Sequence, residues 1–120
     1  MDLTRGKKTV PEDLATKRCV PCEGGTLPLS RERATGLLAQ LPGWALKDGK
    51  LERTFVFRDH YQAIAFVNAV AWISHQQDHH PLMEVGYKTV KVVYWTHAIG
   101  GLSENDFICA ARVSGLLASP

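Results

Sequence analysis

The apolar positions of this chain change rhythm four times. From residue 30 to about residue 41 they recur at helical spacing (Ala34, Leu37, Leu38, Leu41), with Ser30 placed to N-cap and Leu29 just ahead of the cap. Pro42-Gly43 ends that helix. Trp44-Ala45-Leu46-Lys47 and residues 51–57 then flank Asp48-Gly49, a strong hairpin signal, and Leu51, Phe55 and Phe57 share one strand face. Asp59 with Gln62 reads as a capping box opening a long helix from about His60 to Gln77. Ile64, Val67 and Ala71 form one row on it, and Ala63, Phe66, Val70 and Ile73 form its neighbour, a stripe wide enough to pack broadly on a sheet. Residues 82–87 read as a short strand and 90–96 as a stronger one, rich in β-branched and aromatic side chains, and the two are close enough to form a hairpin. After the Gly100-Gly101 loop, Ser103-Glu104-Asn105-Asp106 is a second capping box. The helix it opens has Phe107, Ala110, Ala111, Val113, Ser114 and Leu117 on its apolar side. The predicted order is α-β-β-α-β-β-α, an α+β fold with a four-stranded antiparallel sheet and helices packed on one face.

Composition adds boundaries. Residues 1–29 carry no apolar period and are read as an N-terminal extension, partly mobile, ahead of one domain at 30–120. The net charge of +2 is spread along the chain, which gives no electrostatic case for nucleic acid. No apolar run approaches the roughly 18 residues of a membrane span. The N-terminal residues lead into no apolar segment of a signal peptide, so the expected compartment is the cytoplasm, with reduced cysteines. Cys19-Val20-Pro21-Cys22 is a single C-x-x-C pair, short of the four ligands of a structural zinc site, and no strand precedes it as a thioredoxin-like motif requires. Cys109 falls in an apolar helical stretch and is read as a small core residue.

The chemistry is concentrated in Asp78-His79-His80-Pro81, Thr96-His97 and Asp106. Histidine titrates near neutral pH, with an unperturbed pKa of about 6.5. Pro81 cannot continue a helix, so His79 and His80 sit where helix gives way to strand. If the two strands that follow pair as a hairpin, His97 is carried back beside them. Three converging imidazoles suit an acid/base site, a zinc site or a hydrogen-bonded corner without activity, and spacing alone leaves all three open. His75 and His79, at i and i+4, make the best metal argument in the chain. His60 is expected to be solvent-exposed, and Trp72, Tyr87, Tyr94 and Trp95 to be core residues unless one stacks a flat heterocycle.

These residues together resemble the pterin-4a-carbinolamine dehydratases. The family pattern is an ionisable residue, a gap of three, His, His or Asn, Pro, then an aromatic, a His and an Asp. It is matched by His75, His79-His80-Pro81, Tyr87, His97 and Asp106. The segment from Thr96-His97 through Gly101-Leu102-Ser103 is also similar, and the likeness spans about residues 30–117. His75 stands where many members have Glu, and Met83 where several have Trp. The resemblance implies dehydration of a 4a-hydroxytetrahydropterin to a quinonoid dihydropterin and water, without metal or organic cofactor. His79, His80 and His97 would be catalytic. His80 would be the leading base, with His79 and His97 serving as hydroxyl-side acid and positioner. Asp106 would bind the pterin or orient His97. His75, Asp78, Pro81, Tyr87, Trp95 and Thr96 complete the expected substrate contacts. It further implies a homodimer or dimer of dimers. The alternatives are a non-catalytic pterin-binding auxiliary in molybdopterin-type cofactor metabolism, an interaction protein, and a metalloprotein built on His75 with His79 or on the Cys19–Cys22 pair.

Overall fold

The computed structural model describes residues 13–22 and 26–117. The rest of the predicted extension, which was read as partly mobile, lies outside the described residues at 1–12 and 23–25, as do residues 118–120. The elements are α1 (Arg31–Leu38), β1 (Ala45–Lys47), β2 (Lys50–Val56), α2 (His60–Gln77), β3 (Leu82–Val85), β4 (Thr89–Tyr94) and α3 (Glu104–Gly115). Short 3-10 turns occur at Leu14–Thr16 and His97–Ile99. The sheet is antiparallel in the order β1-β2-β4-β3. The fold is thus the α+β arrangement that the sequence predicts.

The first hairpin turns at Asp48 and Gly49, both in the left-handed region (φ 52° and 74°), as a two-residue turn between twisted strands requires. In the register Leu51↔Tyr94, Arg53↔Val92 and Phe55↔Val90, alternate side chains of the two central strands share one face. Leu51, Phe55, Val90, Val92 and Tyr94 are buried there in one cluster with Ala63, Phe66, Val70 and Ile73 of α2 and Phe107, Ala110 and Val113 of α3. The other face presents charge, including the Lys91–Glu52 ion pair at 3.7 Å.

Some boundaries differ from expectation. α1 stops at Leu38, and Leu41 is buried but beyond the helix, because Pro42 disfavours helical backbone before it. Only one of the two predicted rows of α2 is buried: Ile64 and Ala71 are exposed and Val67 half-buried. The core cluster takes up Ala63, Phe66, Val70 and Ile73, and of the other row only Val67 packs against it. His60 is half-buried, and its Nδ1 lies 2.8 Å from the Tyr87 carbonyl. Leu117 falls past the end of α3 and is exposed. Thr96 and His97 lie beyond β4, with Thr96 bridged to Gly101 and His97 opening a turn. Residues 13–22 lie against α3, and Leu14 joins the core.

Candidate active site

The site is built where α2 ends. Asp78 leaves the helix in the left-handed conformation (φ 52°, ψ 44°), and the backbone N–H groups of Asp78 and His79 both donate to the Ser74 carbonyl. This reversal sends two adjacent imidazoles apart. His79 turns inward and stacks on Tyr94, with ring centroids 5.9 Å apart. His80 stays exposed at the surface. Pro81 leads into β3, and β4 returns the chain so that Trp95, Thr96 and His97 follow its end. His97 then lies 6.4 Å from His80 and 4.4 Å from Trp95, centroid to centroid. The Lys50 ammonium caps the Trp95 ring at 4.6 Å.

Inside the turn, His79 Nε2 meets Asp106 Oδ1 at 2.6 Å. Asp106 is fully buried, and His79 keeps only 13 % of its side chain exposed. The second oxygen, Asp106 Oδ2, accepts from the Thr96 hydroxyl (2.9 Å) and from the Ser103 N–H (2.9 Å). A buried carboxylate that receives several donors is the arrangement that tolerates charge in a core. Burial works against protonation of His79, but the hydrogen bond and negative charge of Asp106 outweigh it and hold the imidazole above its ordinary pKa. The Asp106 carboxylate is bonded to His79, Thr96 and Ser103, so it orients His79 directly and reaches His97 only through the neighbouring Thr96.

A cleft of about 520 Å³ opens over this pair. The domain lines it with Gln76, Gln77, Asp78, His79, His80, Trp95, Thr96, His97 and Ala98, and the segment before the domain lines it with Arg18 to Cys22. Six of the predicted site residues, Asp78, His79, His80, Trp95, Thr96 and His97, meet in the cleft. Asp106 stands behind His79, and Pro81 is half-buried beside the lining. His75 is elsewhere: it packs on Trp72 (5.2 Å) and faces a separate recess with Arg18 and Arg112. The reversal at Asp78 is why His75 and His79 do not share a face. Tyr87, at the far hairpin, is exposed and stacks on His60 at 5.2 Å, so within one chain it is remote from the cleft. Among the described residues no three His, Cys, Asp or Glu side chains gather in a metal-holding arrangement.

Sequence reasoning missed Gln77 and Asn105. Gln77 accepts the Cys19 N–H (2.8 Å), and Asn105 accepts the Val20 N–H (3.0 Å), binding the segment before the domain to the cleft. No motif marks either residue, because their partners are backbone groups distant in the chain. Cys19 Sγ lies 3.5 Å from Cys109 Sγ. Hydrogen bonding from Cys109, helped by the charges of His79 and Arg112 against the opposing effect of burial, holds the Cys19 thiol below its ordinary pKa. The same bond and burial push the Cys109 thiol up.

Comparison with known proteins agrees with the motif. The family described as Pterin 4 alpha carbinolamine dehydratase matches residues 27–116. A protein of Dechloromonas aromatica named "putative pterin-4-alpha-carbinolamine dehydratase" is 60% identical over 105 residues, covering 88% of this chain and 94% of its own. One of the same name from Nitrosomonas eutropha is 63% identical over 108 residues, covering 89% and 96%. Among solved structures, a transcriptional coactivator/pterin dehydratase from Brucella melitensis superposes with a TM-score of 0.73 at 28% identity, covering 76% of this chain and 99% of that one. A pterin dehydratase-like protein described as a RuBisCO assembly factor in the alpha-carboxysome superposes at 0.52, also at 28% identity, covering 64% and 89%.

Proposed function

Because the chain belongs to the pterin 4 alpha carbinolamine dehydratase family, we propose that it dehydrates a 4a-hydroxytetrahydropterin to a quinonoid dihydropterin, in tetrahydropterin recycling. The observation that carries this reading is the buried His79–Asp106 pair set beside two accessible imidazoles, His80 and His97, in one cleft. The reaction breaks the C4a–O bond as the leaving hydroxyl gains a proton, and a ring nitrogen loses one to a base. Net proton count is unchanged, so a pair of imidazoles in opposite protonation states suffices. His80 serves as the base and His97 as the acid at the leaving oxygen. His79, its protonated form favoured by the Asp106 carboxylate, fixes the polarity of the cleft floor, and Trp95 offers a flat face to the heterocycle.

The test is stopped-flow dehydration of a freshly generated 4a-hydroxytetrahydropterin. The wild-type protein accelerates the loss of the hydroxyl, and chelator-treated protein keeps its rate. Absence of acceleration overturns the reading, and a rate lost to chelator and restored by zinc overturns its metal independence. The same proposal includes a cytoplasmic homodimer or dimer of dimers. It is supported by the exposed apolar residues Leu82, Val85, Tyr61, Ile64 and Trp72 along the β3 edge and α2, and sedimentation velocity reads the assembly directly. Among the described residues no helix is long and apolar enough to cross a membrane.

A further inference from the structure

The segment Lys17–Cys22 lies ahead of the stretch that matches the family, yet it is fastened along its length to the end of α2 and the start of α3. The Lys17 ammonium pairs with Glu104 at 2.7 Å, and the Arg112 guanidinium donates to the Lys17 carbonyl through Nε at 3.2 Å. Gln77 takes the Cys19 N–H. Asn105, only 5% exposed, treats Val20 as a neighbouring strand would: its Oδ1 accepts the Val20 N–H and its Nδ2 donates to the Val20 carbonyl. Asn105 Nδ2 also lies 3.5 Å from Cys22 Sγ, and Cys19 Sγ rests on Cys109. The consequence is geometric. Arg18, Cys19, Val20, Pro21 and Cys22 form the side of the cleft facing His80, Trp95 and His97.

We infer that this strap, buttoned down by Asn105, is a substrate-retaining wall of the site, so that Asn105 is a positioning residue for pterin binding. The inference rests on the dehydratase reading above. Two features favour a binding role over a catalytic one. The strap presents peptide groups, an apolar Val20-Pro21 pair and the Arg18 cation to the cleft, a mixed surface suited to a polar, flat heterocycle. It also leaves the proton-carrying histidines untouched: Asn105 bonds the strap, while the adjacent Asp106 bonds His79. Each such hydrogen bond contributes about 1 kcal/mol net, so loss of the two that Asn105 makes to Val20 loosens the middle of the strap against its ordering entropy.

Asn105→Ala is compared with the wild type in two measurements. Trypsin cleavage after Lys17 or Arg18 accelerates on release of the strap, and steady-state kinetics on the 4a-hydroxytetrahydropterin show KM raised by roughly tenfold with kcat within about threefold, the signature of lost uniform binding. The pH–rate profile keeps its shape, because the His79–Asp106 bond is intact. A Val20→Gly/Pro21→Gly double variant, which leaves α3 unaltered, reproduces the rise in KM. Unchanged KM in an active enzyme whose strap cleaves faster overturns the inference and spares the dehydratase reading. So does unaccelerated cleavage, which removes Asn105 as the fastener. A fall in kcat with a displaced pH profile also overturns it, since Asn105 then acts through Asp106. Wild-type protein without any turnover overturns the dehydratase reading, and this one with it.

Discussion

Asp106→Asn tests the electrostatics of the site most directly. The substitution keeps size and removes charge from a carboxylate that is fully buried and bonded to His79, Thr96 and Ser103. A hydrogen bond to a charged group contributes about 1.5–3 kcal/mol and a neutral one about 1 kcal/mol. Asn still accepts from Thr96 or Ser103, so the loss is dominated by the ionised His79 contact, roughly 2 kcal/mol. For a domain of this size that lowers Tm by roughly 8–16 °C. The loss depends on pH in a definite direction. His79 has a folded-state pKa raised above the unfolded value, first opposed by burial and then more than restored by the Asp106 bond and charge. Its stabilisation is therefore complete below the unfolded pKa of about 6.5 and disappears as pH rises through the folded one. In Asp106→Asn the largest opposition to burial is gone, and the His79 pKa falls. The gap in Tm between wild type and variant is thus widest below the unfolded pKa of about 6.5 and narrows as pH rises through the folded pKa of His79, above which only a neutral bond is at stake. Thermal unfolding followed by circular dichroism across that range reads the gap, and a His79 proton NMR titration reads the pKa. A gap that stays constant or widens with pH, or a His79 pKa that does not fall in the variant, refutes the argument.

His80→Ala and His97→Ala are each expected to lower the dehydration rate by roughly 10²-fold or more while the far-ultraviolet spectrum is retained, and near-wild-type rates in both folded variants remove them from the mechanism. Tyr94→Phe is expected to leave Tm unchanged or raise it by a few degrees: the Tyr94 hydroxyl is buried and, among the described residues, finds no hydrogen-bond partner, while the nearby Ser74 hydroxyl donates to Val70 (2.9 Å). A loss above about 1 kcal/mol in Tyr94→Phe shows instead that the hydroxyl is satisfied. Cys19, half-buried with its pKa lowered, is expected to alkylate with iodoacetamide well ahead of Cys109, which is enclosed and pushed the other way; peptide mapping that finds Cys109 modified first contradicts the assigned directions.

The fold was legible because its signals are local. Asp48-Gly49 imposes a turn that only the observed pairing satisfies, and Ser30, Asp59 and Ser103 stand at helix starts as written in the chain. The site was legible in part, because hairpin geometry carries His97 back to His80 whatever the details of packing. What did not show in the sequence depends on side-chain direction. His75 at i, i+4 from His79 looks like a shared face until Asp78 takes a left-handed conformation and turns the second ring away. Two rows of apolar residues on α2 look equally buried, yet the core takes up one of them and only Val67 of the other. Gln77 and Asn105 carry no motif, since their partners are backbone groups some sixty to ninety positions away.

The adjacency of His79 and His80 seems at first a poor design, because neighbouring residues on a regular element cannot share one task. At a helix terminus that restriction becomes useful. With Asp78 at φ 52°, consecutive side chains project to different sides, one into the core and one into the cleft. The buried ring acquires a carboxylate, a fixed orientation and a raised pKa; the outer ring stays exposed at the lip of the cleft. Asp106 reaches the inner ring because the first turn of α3 packs against the end of α2, and its second oxygen ties Thr96, the residue before His97, to the same carboxylate. One buried charge therefore sets the positions of elements bearing all three histidines. Because Thr96 and Ser103 also bond each other at 2.7 Å, movement of either terminus disturbs the whole network. The separation between a rigid, buried His79–Asp106 pair and the two exposed imidazoles above it is the physical basis for proposing proton transfer by His80 and His97 and orientation by His79.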